Sequence, residues 1–328
     1  MGKRNVGKAA MKALQIQSPR HVEIIETPAP RIERADQVLI RIRATSICNS
    51  HEWKTYTDHY RTHFKAEYPC RPGYPGHEGC GEIVDVGDDV HDLSAGDQVF
   101  LTSHAGELHK EYVVCSAGWA FRVDPPAALG DVAPLELFAC AVGLLSTGKH
   151  VAGCRCAVIG VGPGGLAVVQ VLRALGAGEI IAIDLVDSRL DLALGLGAHR
   201  IIRASDSAEI DAAIKAGIET AIDCSGTHDG FRLIFRAARR EAILFGYNDQ
   251  PFETVQADWF IKQLVIRTGN IIEQETGRRT AELLRQGLIR PSALVTHRVP
   301  FTAAGYSEAM ELIEQRVCGK ILMLHDAE

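Results

Sequence analysis

Twelve residues, Gly76-His77-Glu78-Gly79-Cys80-Gly81-Glu82-Ile83-Val84-Asp85-Val86-Gly87, set a metal-type imidazole beside a carboxylate among four glycines. Histidine and glutamate both ligate zinc, and a neighbouring carboxylate can instead orient the imidazole. The glycines at 76, 79 and 81 make room for close backbone approach, or for a conformation that a side chain would forbid. A second signature is Gly160-Val161-Gly162-Pro163-Gly164-Gly165, which follows the apolar Cys156-Ala157-Val158-Ile159 and opens the helical pattern Leu166 to Leu175. In a strand–turn–helix setting the first glycine allows the turn and the second lets backbone approach a pyrophosphate. The third lets helix and strand pack closely. The helix N-terminus then offers free N–H groups and a partial positive charge to the diphosphate. Asp184 ends the next strand, 184 − 165 = 19 residues on, where a carboxylate accepts from ribose hydroxyls. Gly160, Gly162, Gly164, Gly165 and Asp184 are therefore the expected cofactor-binding residues. A carboxylate repels a 2′-phosphate, so NAD is expected rather than NADP. Arg189, on the segment after Asp184, could pair with a phosphate and keeps the NADP alternative open.

These groups need a scaffold, and the chain supplies two kinds. Residues 13–17 and 37–44 read as strands, with a loop at Pro28-Ala29-Pro30 between them. Thr45 to Pro75 is polar and turn-rich, with His51, His59, His63, Trp53 and four tyrosines, and lacks periodicity. It is expected to be an irregular lobe lining something. Gly81 to Val90 alternates as a strand, Ala95-Gly96-Asp97 turns into Gln98-Val99-Phe100-Leu101, and short strands continue around Glu111 to Cys115. This is a mostly β domain of partly open barrel character. From Ala133 the pattern changes to a helix at 134–149, then strands at 155–159, 179–184, 219–224, 241–246 and 264–269. Helical stretches at 166–175, 187–196, 207–216, 228–239 and 275–286 separate them. Strand alternating with helix predicts a doubly wound parallel sheet covered on both faces, an α/β fold. The expected division is 1–150 with 290–328, ending in the strand-like Lys320-Ile321-Leu322-Met323-Leu324, and a dinucleotide-binding domain at 151–289.

Composition excludes several classes. A length of 328 residues accommodates two domains with proper cores. A formal charge of −6 argues against a nucleic-acid surface. No apolar run approaches the roughly 20 residues of a membrane helix. The basic stretch Met1 to Lys12 lacks an apolar run behind it and reads as an extension, not a targeting signal. Nine cysteines at irregular spacings, mostly in apolar runs, suit buried thiols in a reducing compartment, so a cytoplasmic location is expected.

The opening motif resembles the signature of the zinc-dependent medium-chain dehydrogenase/reductase family at Gly76, His77, Glu78, Gly81, Gly87 and Val90. The resemblance covers nearly the whole chain from Met11. It implies a GroES-like catalytic domain joined to a Rossmann domain. It also implies a catalytic zinc held by Cys48, His77 and Glu136, the last lying 160 − 136 = 24 residues before the first glycine of the turn. Cys140, one helical turn later, competes for the third place. Glu78 is either a ligand that exchanges with water or a group orienting one. The family's structural zinc needs four cysteines in a lobe, and Leu101 to Val114 holds none. One zinc is therefore expected. Ser50 takes the place of the family's proton-relay hydroxyl, with His51 standing in for the relay histidine, because the usual position is Trp53. Lys320 resembles a residue that approaches the cofactor phosphates. The activity implied is hydride transfer between NAD(H) and a secondary alcohol, with polyol, cyclitol or sugar-derived substrates favoured. A zinc-free enone or quinone reductase and a catalytically silent binding protein are the alternatives. Relatives without the structural-zinc lobe pair through the edge strand at 264–269, implying a homodimer or homotetramer.

Overall fold

The structure, a computed structural model, describes residues 9–60, 65–103, 106–269 and 272–325. His63 and the first eight residues of the basic extension lie outside the described residues. The chain forms two compact units. One comprises Met1–Glu136, Gln274–Arg285 and Arg290–Glu328; the other comprises Leu137–Glu273 and Gln286–Ile289.

The first unit opens with a hairpin of β1 (Ala10–Ser18) and β2 (His21–Pro28). Its centre is β3 (Gln37–Ile47), long because nearly every position buries an apolar or small side chain. After the six-residue helix α1 (His51–Tyr56) come β4 (Gly79–Val86), β5 (Gln98–Leu101), β6 (Tyr112–Ser116) and β7 (Ala120–Arg122). The short helix α2 (Leu129–Val132) leads into α3 (Leu135–Ser146), which carries the chain into the second unit.

The second unit alternates β8 (Arg155–Ile159), α4 (Pro163–Ala174), β9 (Glu179–Asp184), α5 (Asp187–Gly195), β10 (Arg200–Arg203), α6 (Ser207–Ala216) and β11 (Ile218–Asp223). It continues with α7 (His228–Ala237), β12 (Ala238–Leu244), α8 (Gln256–Phe260) and β13 (Val265–Thr268). The chain returns to the first unit with α9 (Gln274–Arg285), then β14 (Val295–Pro300), α10 (Ala303–Glu314) and β15 (Lys320–Leu324).

In the first unit the sheet order is β14-β15-β3-β4-β5-β7, with β6 also on β3. Its register has a direct consequence for chemistry. β15 runs antiparallel to β3 with Ile321 opposite Ile47, and β4 runs antiparallel to β3 with Gly79 opposite Thr45. Three strand ends thus meet, bringing Lys320, Cys48 and the pair His77–Glu78 to one corner. The ladder extends one step further where the Ser46 N–H donates to the Glu78 carbonyl at 3.0 Å.

In the second unit six parallel strands run β10-β9-β8-β11-β12-β13. Counted from β8 this is the doubly wound order 3-2-1-4-5-6, whose crevice lies between the first and fourth strands. Buried Ile159, Ile181, Ile183, Ile222 and Ile243 give the near-continuous apolar strands that a two-sided sheet requires.

The unit boundary falls at 136/137, not at the expected 150/151, because the apolar α3 packs as part of the second unit. Helix α9, expected in the dinucleotide domain, belongs to the first unit, where Phe121 occupies the space a side chain on Gly277 would need. Four strands escaped the pattern analysis, the three-residue β7 among them. β2 keeps one face in solvent, β10 is four residues long, and β14 alternates only weakly. Within the described residues one stretch, Leu129–Ser146, matches a membrane span in length and hydropathy, yet 78% of it is buried inside the fold.

Candidate active site

Cys48, His77 and Glu78 each present one donor atom, and the three atoms lie within 4.8 Å of one another. The imidazole is held by its far nitrogen, since His77 Nδ1–H donates to the Pro75 carbonyl at 2.8 Å, which leaves Nε2 for a ligand. The Cys48 sulfur accepts the His51 N–H at 3.4 Å. Glu78 is 1% exposed; its Oε1 accepts from Lys320 Nζ at 2.5 Å, while its Oε2 is buried with no hydrogen-bond partner. A buried carboxylate oxygen without a partner is costly, and a cation beside it removes the cost. The donor set is therefore one that a zinc ion fits: a thiol, an imidazole nitrogen and a carboxylate oxygen. Burial alone lowers the His77 pKa, but the hydrogen bond to Cys48 and the charges of Cys48, Glu136 and Glu78 outweigh it. The pKa stands well above the ordinary value, the mark of a site negative enough to attract a cation.

Glu136, the expected third ligand, is buried at the start of α3, and its charge acts on His77, but it is not one of the three grouped donors. Cys140 is buried in α3 within the second unit. Lys320 departs from expectation. At 2% exposure its ammonium is held by Glu78 Oε1 and by the Ile47 carbonyl at 3.2 Å, so it serves the metal corner and is not offered to a phosphate. Burial lowers its pKa, but Glu78 and Cys48 more than compensate, and it stays charged.

Ser50 is exposed at the N-cap of α1 and its hydroxyl makes no capping bond. His51 is not on an exposed loop. Its ring lies 5.5 Å from that of His77, with Nδ1 on the Tyr60 hydroxyl at 2.5 Å and Nε2 on the Tyr74 hydroxyl at 3.3 Å. Burial and the neighbouring His77 push its pKa down to about 4, so it is neutral near pH 7.

Glu52 and His109 carried no signal of their own in the sequence, yet both are 0% exposed here. Glu52 Oε1 accepts the Cys48 N–H at 3.2 Å, and its Oε2 accepts from His109 Nε2 at 2.9 Å. Burial disfavours its charge, but His109, His77 and the Cys48 N–H prevail and hold its pKa below the usual value. Only a Glu-to-Cys spacing of four residues hints at this contact, and His109 is too distant in sequence to be found.

The second unit holds the glycine turn. Gly160 has φ +84°, and a side chain there would also strike Ser225 at 2.8 Å. A Cβ on Gly165 would sit 2.0 Å from the Gly160 carbonyl, so α4 can start this close to β8 only with glycine. A Cβ on Gly162 would meet nothing within 4 Å, and a Cβ on Gly164 would lie 3.2 Å from Phe245. Gly162 caps α4 with Pro163 following it, leaving N–H groups open beside the turn. Asp184 Oδ2 accepts the Val161 N–H at 2.7 Å and Oδ1 accepts the Val186 N–H at 2.9 Å, so it fixes the turn from below. Arg189 is half-buried on α5. Arg203, opposite Asp184 in the sheet, is paired with Asp187. The turn after β11 was not anticipated. There Asp223 accepts from the backbone N–H groups of Ser225 and Gly226 and from the Ser225 hydroxyl.

Comparison with known proteins agrees with both units. Residues 34–131 match the alcohol dehydrogenase GroES-like domain and residues 163–284 match the zinc-binding dehydrogenase domain. The L-threonine 3-dehydrogenase of Bacillus licheniformis is 30% identical over 90% of this chain and 93% of its own. The sorbitol dehydrogenase of Bombyx mori is 25% identical over 92% of this chain and 95% of its own. Among solved structures, the RspB alcohol dehydrogenase of E. coli CFT073 complexed with NADH superposes with a TM-score of 0.84 at 25% identity, covering 97% of this chain and all of that one. The fold and site define an oxidoreductase of GroES-like plus Rossmann architecture. The chain belongs to the zinc-type medium-chain dehydrogenase family.

Proposed function

We propose that this protein is a zinc- and NAD-dependent dehydrogenase of a secondary alcohol carrying further hydroxyl groups, of the polyol, cyclitol or sugar-derived class. The observation that carries the reading is the gathering of Cys48 Sγ, His77 Nε2 and a carboxylate oxygen of Glu78 within 4.8 Å of one another, on a buried carboxylate whose Oε2 has no hydrogen-bond partner. Cys48 and His77 would hold the metal together with a carboxylate, from Glu78 as grouped here or from Glu136, whose charge already bears on His77. One zinc per chain is proposed. Bound there, zinc supplies Lewis acidity that makes a substrate hydroxyl acidic near neutral pH.

The chain's own residues do the rest. Cys48 and His77, both half-buried, leave the corner open to a substrate. Ser50 and His51 form the proposed path for the hydroxyl proton. A neutral imidazole accepts on one nitrogen and donates from the other, and His51 has a tyrosine hydroxyl at each. His51, Tyr60 and Tyr74 also offer hydrogen bonds suited to a hydroxylated substrate. Gly160, Gly162, Gly164 and Gly165 would hold the dinucleotide pyrophosphate, and Asp184 would receive the ribose. NAD is favoured because Asp184 repels a 2′-phosphate and Arg203 is already neutralised by Asp187. The relatives named sorbitol dehydrogenase and L-threonine 3-dehydrogenase take their names from hydroxyl compounds with further polar groups, which supports the substrate class.

The protein is further proposed to work as a homodimer or homotetramer. Its edge strand β13 leaves Val265 and Ile266 at 50% and 41% exposure, a pairing template that a second copy would cover. The test is metal analysis together with NADH absorbance on a panel of polyols, cyclitols and L-threonine. One zinc per chain with NADH formed on a polyol is expected. A protein without zinc that reduces enones would overturn the reading.

A further inference from the structure

From the buried groups behind the metal corner we infer that Glu52 and His109 are a positioning pair that sets the distance between the Cys48 and His77 segments. The inference rests on the metal reading above. Cys48 stands in the loop just after β3, where no ladder bond holds it. Its N–H is tied to Glu52 Oε1 at 3.2 Å, and Glu52 Oε2 accepts from His109 Nε2 at 2.9 Å. His109 Nδ1 then meets Thr45 Oγ1 at 3.1 Å, on β3 three residues before Cys48. An ionised Glu52 can only accept, so Nε2 carries the proton and Nδ1 accepts from the threonine. The chain of bonds runs from strand to loop and back to the same strand, and so fixes the angle at which the cysteine leaves β3.

The same histidine also bears on the other ligand. A Cβ on Gly76 would lie 2.7 Å from both Cγ and Cδ2 of His109, so the ring fills the space directly against the residue before His77. The His109 N–H reaches the Gly73 carbonyl at 3.2 Å, and the Leu108 N–H reaches the Gly76 carbonyl at 2.9 Å. One side chain therefore touches both ligand segments. Stability is a poor reason for such a pair, because an apolar pair of similar volume in its place is often as stable or more so. What an apolar pair does not supply is direction. Groups that orient metal ligands act in this way, and their loss costs about 10–100-fold in metal affinity.

The test compares zinc release to a chromophoric chelator, and the thiolate-to-metal absorption of the cobalt-substituted protein, in full-length variants. Glu52→Gln retains an acceptor for the Cys48 N–H, and its amide N–H donates to His109 Nε2 once the ring carries its proton on Nδ1 and donates it to Thr45 Oγ1; it should release zinc within about twofold of wild type with an unmoved cobalt band. The double variant Glu52→Leu/His109→Phe should unfold at the wild-type temperature yet release zinc about tenfold faster with a shifted band. A folded double variant with wild-type release and an unmoved band overturns the inference. Should the double variant fail to fold, Thr45→Val decides. About threefold faster release is expected from freeing His109 Nδ1, and a wild-type rate overturns the inference. Wild-type protein that takes up neither zinc nor cobalt overturns the metal reading itself, and this inference with it.

Discussion

Replacing Lys320 with methionine removes the cation from the buried lysine–carboxylate pair at the metal corner. Its Nζ lies 2.5 Å from Glu78 Oε1, and the two residues are 2% and 1% exposed. Methionine fills much of the same volume, so the loss is electrostatic. Glu78 would keep two buried oxygens and no partner, since Oε2 already lacks one. Breaking a buried pair from one side costs about 3–5 kcal/mol. For a unit of this size, about 2–4 °C of melting temperature accompanies each kcal/mol, so a fall of roughly 6–20 °C is expected without metal. A bound divalent cation restores a positive partner to the carboxylate, so zinc-loaded Lys320→Met should lose less than half as much. The assay is thermal unfolding by circular dichroism, on wild type and variant, after chelator treatment and after zinc reloading. A chelator-treated variant melting within about 2 °C of wild type would show that Glu78 does not depend on Lys320. An equal fall with and without zinc would show that the cation does not sit by Glu78.

Three other outcomes follow from the same geometry. Asp184→Ala removes the acceptor of the Val161 and Val186 N–H groups along with the proposed ribose contact; NADH affinity by fluorescence titration should drop at least about tenfold, with relative use of NADP rising. An unchanged Kd would contradict both roles. Burial, aided by the charge of His109, lowers the His325 pKa to about 3, and its ring stacks on Phe301 at 4.0 Å. Because this folded pKa lies below the unfolded value near 6.5, the unfolded chain takes up the proton first as pH falls; the contribution is complete above about pH 6.5 and is lost toward pH 3, about 2 kcal/mol of it by pH 5. His325→Phe should remove that part of the loss in urea unfolding at pH 7 and pH 5, and identical pH slopes in the two proteins would contradict it. Light scattering should give at least twice the 35.6 kDa chain mass, and Ile266→Lys should return it to one chain; a monomeric wild type would mean that the edge strand stands alone.

Much of the architecture was legible along the chain because it depends on local pattern. The strand-turn-helix around Gly160 to Gly165 was readable because its two critical glycines answer local demands, a φ of +84° at Gly160 and, at Gly165, a clash with the Gly160 carbonyl. The parallel sheet followed from apolar strands alternating with helices, since strands buried on both faces must be apolar throughout. The terminal strand at Lys320–Leu324 was expected with the same bounds. His77 and Glu78 announced themselves through glycine spacing, and Cys48 through resemblance of the segment around it.

What a linear pattern does not contain is which strand ends meet. Lys320 lies 242 residues from Glu78, and only the antiparallel register of β15 on β3, and of β3 on β4, brings the ammonium onto the carboxylate. That pairing moved Lys320 from an expected phosphate contact to a partner of the metal corner. His109 likewise reaches Glu52 across 57 residues and gives no periodic or motif signal. Residue type and spacing determine which side chains are able to do chemistry, because ligand preference and backbone freedom are local properties. Burial, charge pairing and the direction of each ligand are decided by the sheet register, because they depend on neighbours that only the folded chain brings into contact.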